Sequence, residues 1–229
     1  MRKKSISNKN KNMIMGHNIP FAIEESYKVA RTNLMFSLPG VKCKKIVVTS
    51  PRQGEGKSTT TINLALSIAE MGKKVLLIDA DLRRSSVAKK LHIREIPGLS
   101  NILSGDVSVA DCIQEENGLD IIPAGDIPPN PSELLGSDTL KNLVKSLESQ
   151  YEYIFFDLPP VCTVTDATML ADVASGAVVI VRDGSTEKNQ ITEALRNLKL
   201  VHMKVLGFII IGTHESKQAY NATYGEYGR

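Results

Sequence analysis

Three groups of residues along this chain have the types and spacing that phosphate and divalent-cation chemistry requires. The first is Thr49-Ser50-Pro51-Arg52-Gln53-Gly54-Glu55-Gly56-Lys57-Ser58-Thr59. It follows a β-branched apolar run, Ile46–Thr49, and opens a helical pattern that starts at Lys57. Gly54 and Gly56 let the loop's backbone amides, from Gly54 and Glu55 through Thr59, turn inward around phosphate oxygens. Lys57 brings a point charge to the terminal phosphates, and the Ser58 hydroxyl is a ligand for Mg2+. Pro51 stands where the usual pattern has its first glycine. A strand-to-helix turn with glycines kept for packing is the bland alternative, and the Gly-Lys-Ser-Thr run argues against it.

The second and third groups are aspartates at strand ends. Val75-Leu76-Leu77-Ile78-Asp79-Ala80-Asp81-Leu82-Arg83 places two carboxylates and a cation after one apolar run. Tyr153-Ile154-Phe155-Phe156-Asp157 places a third carboxylate after another. Ligands of open α/β sheets bind at the carboxyl ends of the strands, so Asp79, Asp81 and Asp157 are expected to converge near the glycine loop. A hard cation such as Mg2+ takes oxygen ligands. Any one of these aspartates reads equally well as a cap on the helix that follows it. Three of them beside Lys57 and Ser58 fit that poorly. Asp79 and Asp81 share a face only if the strand stays extended.

These residues need a scaffold, and the pattern supplies one. A helix is expected over residues 21–37 and another from Lys57 to about Met71, closed by Gly72. Apolar runs at Val75–Ile78, Leu119–Ile122, Ile154–Phe156, Ala177–Val181 and Val205–Ile211 read as strands. Leu140, Leu143, Val144 and Leu147 fall at helical spacing, and Asn130-Pro131-Ser132-Glu133 reads as a helix start. Strands apolar on both faces and alternating with helices imply an α/β fold, a mostly parallel β-sheet flanked by helices.

The 229 residues, 42% of them hydrophobic, suit one domain with an ample core. The expected organisation is a disordered basic segment over 1–20, a folded domain over 21–215 and a flexible tyrosine-rich tail over 216–229. No apolar run reaches the ~18 residues a membrane span needs, and no apolar stretch follows the basic N-terminus, so it does not read as a signal peptide. A cytoplasmic location is the default. The three scattered cysteines have no metal-like spacing. A net charge of +3 is too mild to imply nucleic acid.

Taken together, the motifs resemble those of the bacterial tyrosine kinases of capsule and exopolysaccharide synthesis. The glycine loop looks like their Walker A motif, Ile78-Asp79-Ala80-Asp81-Leu82-Arg83 like their second, specific Walker motif, and Phe156-Asp157-Leu158-Pro159-Pro160 like their Walker B. Gly98–Gly105, Ile122–Gly125 and Pro128–Leu135 are also similar, so the resemblance covers roughly residues 21–213. The Asp-x-Asp-x-Arg element is its most specific piece.

The resemblance implies a deviant-Walker P-loop NTPase fold of the MinD/ParA-like kind. The implied activity is that of a protein-tyrosine kinase, which converts ATP and a protein tyrosine to ADP and phosphotyrosine. Mg2+ is then held by Ser58 and, directly or through water, by Asp79, Asp81 and Asp157. Lys57 neutralises phosphate charge, Asp79 receives the acceptor tyrosine's proton, and Arg83 steadies a phosphate or orients the acidic pair. The acceptors are Tyr220, Tyr224 and Tyr227, half of the chain's six tyrosines, phosphorylated between neighbouring subunits of a ring. Glu25, Lys28 and Arg31 resemble the family's Glu-x-x-Arg-x-x-Arg element of subunit contact. Lys28 keeps the charge of the middle arginine and loses its bidentate fork. The implied partners are a membrane adaptor that activates the kinase in polysaccharide chain-length control and a cognate tyrosine phosphatase, with the kinase at the inner face of the membrane. Ile211 stands where the wider ATPase class carries an asparagine near the adenine, which leaves Arg182 and Asp183 as candidates for base recognition. A ParA/MinD-like switch ATPase is the alternative. Its signature lysine is absent from the loop, where Arg52 and Gln53 stand instead.

Overall fold

A computed structural model describes residues 13–16 and 19–213. Tyr220, Tyr224 and Tyr227 lie outside the described residues. In chain order the elements are α1 (Phe21–Ser37), β1 (Lys44–Thr49), α2 (Lys57–Ala69), β2 (Val75–Asp79), α3 (Val87–Leu91), α4 (Leu99–Ser104), α5 (Val109–Cys112), β3 (Gln114–Glu116), β4 (Leu119–Ile122), α6 (Pro131–Leu135), α7 (Asp138–Leu147), β5 (Tyr153–Asp157), α8 (Asp166–Met169), β6 (Gly176–Arg182), α9 (Lys188–Leu200) and β7 (Val205–Ile211).

The strands form a seven-stranded sheet in the order β3-β4-β2-β5-β1-β6-β7. All neighbours are parallel except β3 and β4, which pair antiparallel. The cause is visible in side-chain parity. Val47, Leu76, Ile78, Ile154, Phe156 and Val179 enter one core with Leu140, Leu143 and Val144 of α7 and Leu198 of α9. Ile46, Val48, Leu77, Phe155 and Ile180 enter the other, with Ile62 and Leu66 of α2 and Leu34 of α1. Alternate residues of the same strands thus fill opposite layers, as continuous apolar runs require.

α2 is buried nearly all round, because it lies between the sheet and α1. Gly98 packs directly on the backbone of Gly125, where any Cβ would stand 2.3 Å from Gly125 N and Pro123 O. The Leu99 and Ser100 amides donate to the Pro123 and Ala124 carbonyls, so two of the stretches singled out in the sequence dock on each other.

The structure corrects the expectation for residues 1–20 in part. Ile14 and Met15 are fully buried in the α2 layer. The Met15 amide donates to Asn63 Oδ1 at 2.8 Å, and Asn63 Nδ2 donates to the Met13 carbonyl at 2.7 Å. Composition hid this, because the anchoring polar residue is about 50 positions away on α2. β3 has no apolar run to betray it, since Gln114-Glu115-Glu116 is wholly polar, while α9 does carry Ile191, Ala194 and Leu198 at helical spacing on its buried face.

Candidate functional site

The parallel strands β1, β2 and β5 end side by side, with Asp79 opposite Asp157 and Val48 opposite Asp157 in register. The loop after β1 wraps the head of α2, where Gly54 and Gly56 take φ of 84° and 77°. A side chain at Gly56 would be strained by that angle, and its Cβ would stand 2.5 Å from Ile211 Cδ1. Glu55 is buried and works through its side chain. It accepts from the Arg52 amide at 2.9 Å and from the Thr186 hydroxyl, which ties the loop to the segment between β6 and α9.

Beside this loop is a cleft of about 310 Å³. Gly54, Gly56, Lys57, Ser58, Thr59 and Asp81 line it, together with Arg52, Arg84, Ser86 and Lys90. Lys57 Nζ donates to Asp157 Oδ1 at 2.9 Å and lies 3.7 Å from Asp81 Oδ2. Burial opposes the charge on Lys57, but Asp157, Asp81 and Asp79 outweigh it and raise its pKa. Thr61 Oγ1 also donates to Asp157 Oδ1, at 3.0 Å, while Asp157 Oδ2 is buried with no hydrogen-bond partner.

Asp79 and Asp157 lie fully buried beneath the cleft rather than on its wall. Asp79 Oδ2 accepts from the Ser86 and Val87 amides, both at 3.1 Å, and Oδ1 accepts from the Asp81 amide at 3.2 Å. Asp79 therefore does cap the start of α3, while its burial, with the nearby Asp157 adding, pushes its pKa up to about 7. Asp81 lies two residues past the end of β2 and still reaches the cluster, because the turn folds back on Asp79. Burial raises its pKa as well, against the pull of Lys57.

Arg83 departs from expectation. It is not among the residues lining the cleft. Its Nε donates to Asp166 Oδ2 at 2.8 Å and its Nη2 to Asp166 Oδ1 at 3.2 Å. The neighbouring Arg84 lines the cleft instead and donates to Gln53 Oε1 at 3.0 Å. Asp166 and Arg84 were not legible as site residues; a lone aspartate after Thr165 reads as a cap, and two adjacent arginines cannot be told apart by type. Ile211 lies against the loop at Gly56, with Arg182 Nη2 4.0 Å from where a Cβ there would stand, and the Asp183 amide donates to the Ile211 carbonyl.

Glu25, Lys28 and Arg31 lie on α1. Lys28 Nζ is 2.8 Å from both Glu24 and Glu25, and Arg31 Nη1 donates to the Ser67 carbonyl of α2. Lys28 and Arg31 are thus engaged within the chain.

Among the described residues no group of three or more histidine, cysteine or acidic side chains forms a ready-made metal cage. The donor set still fits a cation that takes its other ligands from phosphate and water. Ser58 and Asp81 face the cleft, and Asp157 keeps an orphaned oxygen. Asp79 is fully buried beneath the cleft and its oxygens accept from backbone amides, so its part in holding a cation runs through water or charge.

A family model described as an AAA domain matches residues 43–206. The chain is 41% identical over 206 residues to tyrosine-protein kinase YwqD of Bacillus subtilis (strain 168), covering 89% of this chain and 86% of that one. The kinase domain of Escherichia coli tyrosine kinase ETK superposes with a TM-score of 0.81 at 29% identity, over 86% of this chain and 81% of that one. The septum site-determining protein MinD of Pyrococcus horikoshii OT3, solved with Mg-ADP, gives 0.61 at 27%, over 79% and 76%. With its P-loop, its paired aspartates and a relative of this identity along nearly its whole length, the chain belongs to the bacterial tyrosine-protein kinases.

Proposed function

We propose that this chain transfers the γ-phosphoryl group of ATP to tyrosine, that its acceptors include Tyr220, Tyr224 and Tyr227 of a neighbouring copy, and that it thereby regulates capsular or exopolysaccharide synthesis. The observation that carries this reading is the match to a tyrosine kinase over 89% of the chain with the phosphate and acidic cluster intact.

The nucleotide's phosphates take the amide cradle of Gly54–Thr59 at the positive end of the α2 dipole. Lys57 adds a cation where charge builds during transfer. Ser58, Asp81 and Asp157 would hold Mg2+, which would supply positive charge to the phosphate oxygens. Asp79 holds the turn and adds buried negative charge. The acceptor tyrosine, with a pKa near ~10 in water, must lose a proton. Of the two aspartates only Asp81 borders the cleft, so an entering hydroxyl meets Asp81 before Asp79.

Among the described residues no helix is long and apolar enough to cross a membrane. We also propose a membrane adaptor as its activator, with the kinase recruited to the inner membrane face. Ring assembly through the α1 face and reversal by a tyrosine phosphatase complete the proposal.

The test is incubation of the full chain with Mg-ATP and a cytoplasmic fragment of the adaptor, followed by mass spectrometry. Phosphotyrosine should appear in the tail, depend on Lys57, and vanish when all three tail tyrosines are changed to Phe. ATP hydrolysis with an unmodified tail would instead support the switch-ATPase reading.

A further inference from the structure

We propose that Asp166 is a positioning residue for phosphoryl transfer: its buried carboxylate grips Arg83 and so sets where Asp81 and Arg84 stand in the cleft. The proposal rests on the kinase reading above and adds a residue to its machinery.

The geometry is a closed triangle. Asp166 is fully buried. Its Oδ2 accepts from Arg83 Nε, and its Oδ1 accepts from Arg83 Nη2 and, at 2.5 Å, from Ser132 Oγ. Arg83 Nη2 also donates to Ser132 Oγ at 3.0 Å. Three elements meet there: the turn after β2, the first helical turn of α6, and the start of α8. A bidentate fork on a buried carboxylate fixes orientation as well as distance.

What the triangle holds is the turn that carries cleft residues. Arg83 lies between Asp81 and Arg84, and both of these line the cleft. The Arg84 amide donates back to Asp81 Oδ1 at 3.0 Å, so the three residues move together. Asp79 anchors the start of this turn from below, through the Asp81 amide. Asp166 anchors its middle from outside the cleft. Without it, the turn keeps its residues and loses one of two supports.

A plain structural ion pair is the competing explanation. The Arg83 side chain is 40% exposed and Asp166 fully buried, so Arg83→Gln strands a buried carboxylate and lowers stability, whereas the double variant, which removes both charges, does not. A positioning role predicts an effect on turnover out of proportion to the effect on melting. Displacement of reacting groups by about 1 Å is enough to cost on the order of 100-fold in rate.

The experiment compares wild type, Asp166→Asn, Arg83→Gln and the double variant as full chains. Tail phosphorylation with the adaptor fragment gives kcat and KM for Mg-ATP. A fluorescent ADP analogue gives affinity with Mg2+ and with EDTA. Each single variant should lose roughly 10- to 100-fold in kcat with KM changed less than about threefold. The double variant should be no slower than the worse single, because the pair acts as a unit. Affinity in EDTA should stay within about twofold, since the amide cradle is untouched, while the gain on adding Mg2+ should shrink. Turnover within twofold of wild type, or multiplicative losses in the double variant, would overturn the proposal. Ser132→Ala leaves the charge pair intact and should give the same pattern more weakly, which covers the case in which Asp166→Asn does not fold. If wild type itself leaves the tail unmodified, the kinase reading has failed; an unchanged Mg2+ gain in Asp166→Asn would separately sink the positioning role.

Discussion

Lys57 is held in the nucleotide-free site by carboxylates, and that arrangement makes a quantitative prediction for Lys57→Met. Methionine keeps most of the apolar stem and removes the ammonium. The lost contacts are 2.9 Å to Asp157, which is fully buried, and 3.7 Å to Asp81. At an effective dielectric of 20 the nearer pair alone is worth about 6 kcal/mol of Coulomb energy, much of it offset by desolvation of both ions. Removing one partner does not recover that offset, because Asp157 stays buried beside Asp79 without its counter-charge. The net cost is then about 3–5 kcal/mol. For a chain of this length that corresponds to a fall in Tm on the order of 10 °C. The assay is thermal unfolding followed by circular dichroism at pH 8, in EDTA and without nucleotide. Adding Asp157→Asn to Lys57→Met should restore at least half of the loss, because the uncompensated charge is gone. The deficit of Lys57→Met should also shrink toward pH 5, as Asp79 and Asp81 take up protons. A Tm within about 1 °C of wild type, or a further fall when Asp157→Asn is added, would refute the view that Lys57 is the counter-charge of this cluster.

Gly56→Ala forces a left-handed residue against Ile211, so ADP affinity should fall by about tenfold or more; a companion Ile211→Ala, which relieves the contact and not the backbone angle, should recover only part of it in a fluorescence titration. The pKa of Asp79 is pushed up to about 7 and that of Asp81 is raised too, so Mg-ADP affinity should weaken as pH falls below about 7, and binding near neutral pH should release protons. Calorimetry in two buffers of different ionisation enthalpy reads those protons directly. In the same window, from the ordinary carboxylate range near ~4 up to about 7, the metal-free native state holds more protons than the unfolded chain, so its stability should decline as pH rises. Asn63→Ala removes two hydrogen bonds to the Met13–Met15 backbone and should cost about 1–3 kcal/mol, seen as earlier proteolysis near the N-terminus and a lower Tm.

The phosphate loop was legible because its chemistry is local. Gly54, Gly56, Lys57 and Ser58 are neighbours, and a strand before and a helix after are enough to orient them. The same holds for the strands, where apolar runs report burial on both faces whatever their neighbours are. β3 leaves no such signal because an edge strand needs no apolar face, whereas α9 shows Ile191, Ala194 and Leu198 at helical spacing.

The sequence by itself determined the residue types of the site, the alternation that makes a mostly parallel sheet, and the family. The tertiary structure decided which member of each pair does what. Asp79 turns both oxygens to backbone amides while Asp81 meets the cleft, although by type they are the same residue. Arg83 closes on a buried carboxylate 83 residues away while Arg84 lines the cleft. Met13–Met15 leave a polar, basic stretch to pack on a helix whose Asn63 meets their backbone. The reason is common to all three: a side chain's role depends on which hydrogen-bonding and charged partners reach it, and partners brought together by chain closure over tens of residues leave no periodicity or spacing for a sequence to show.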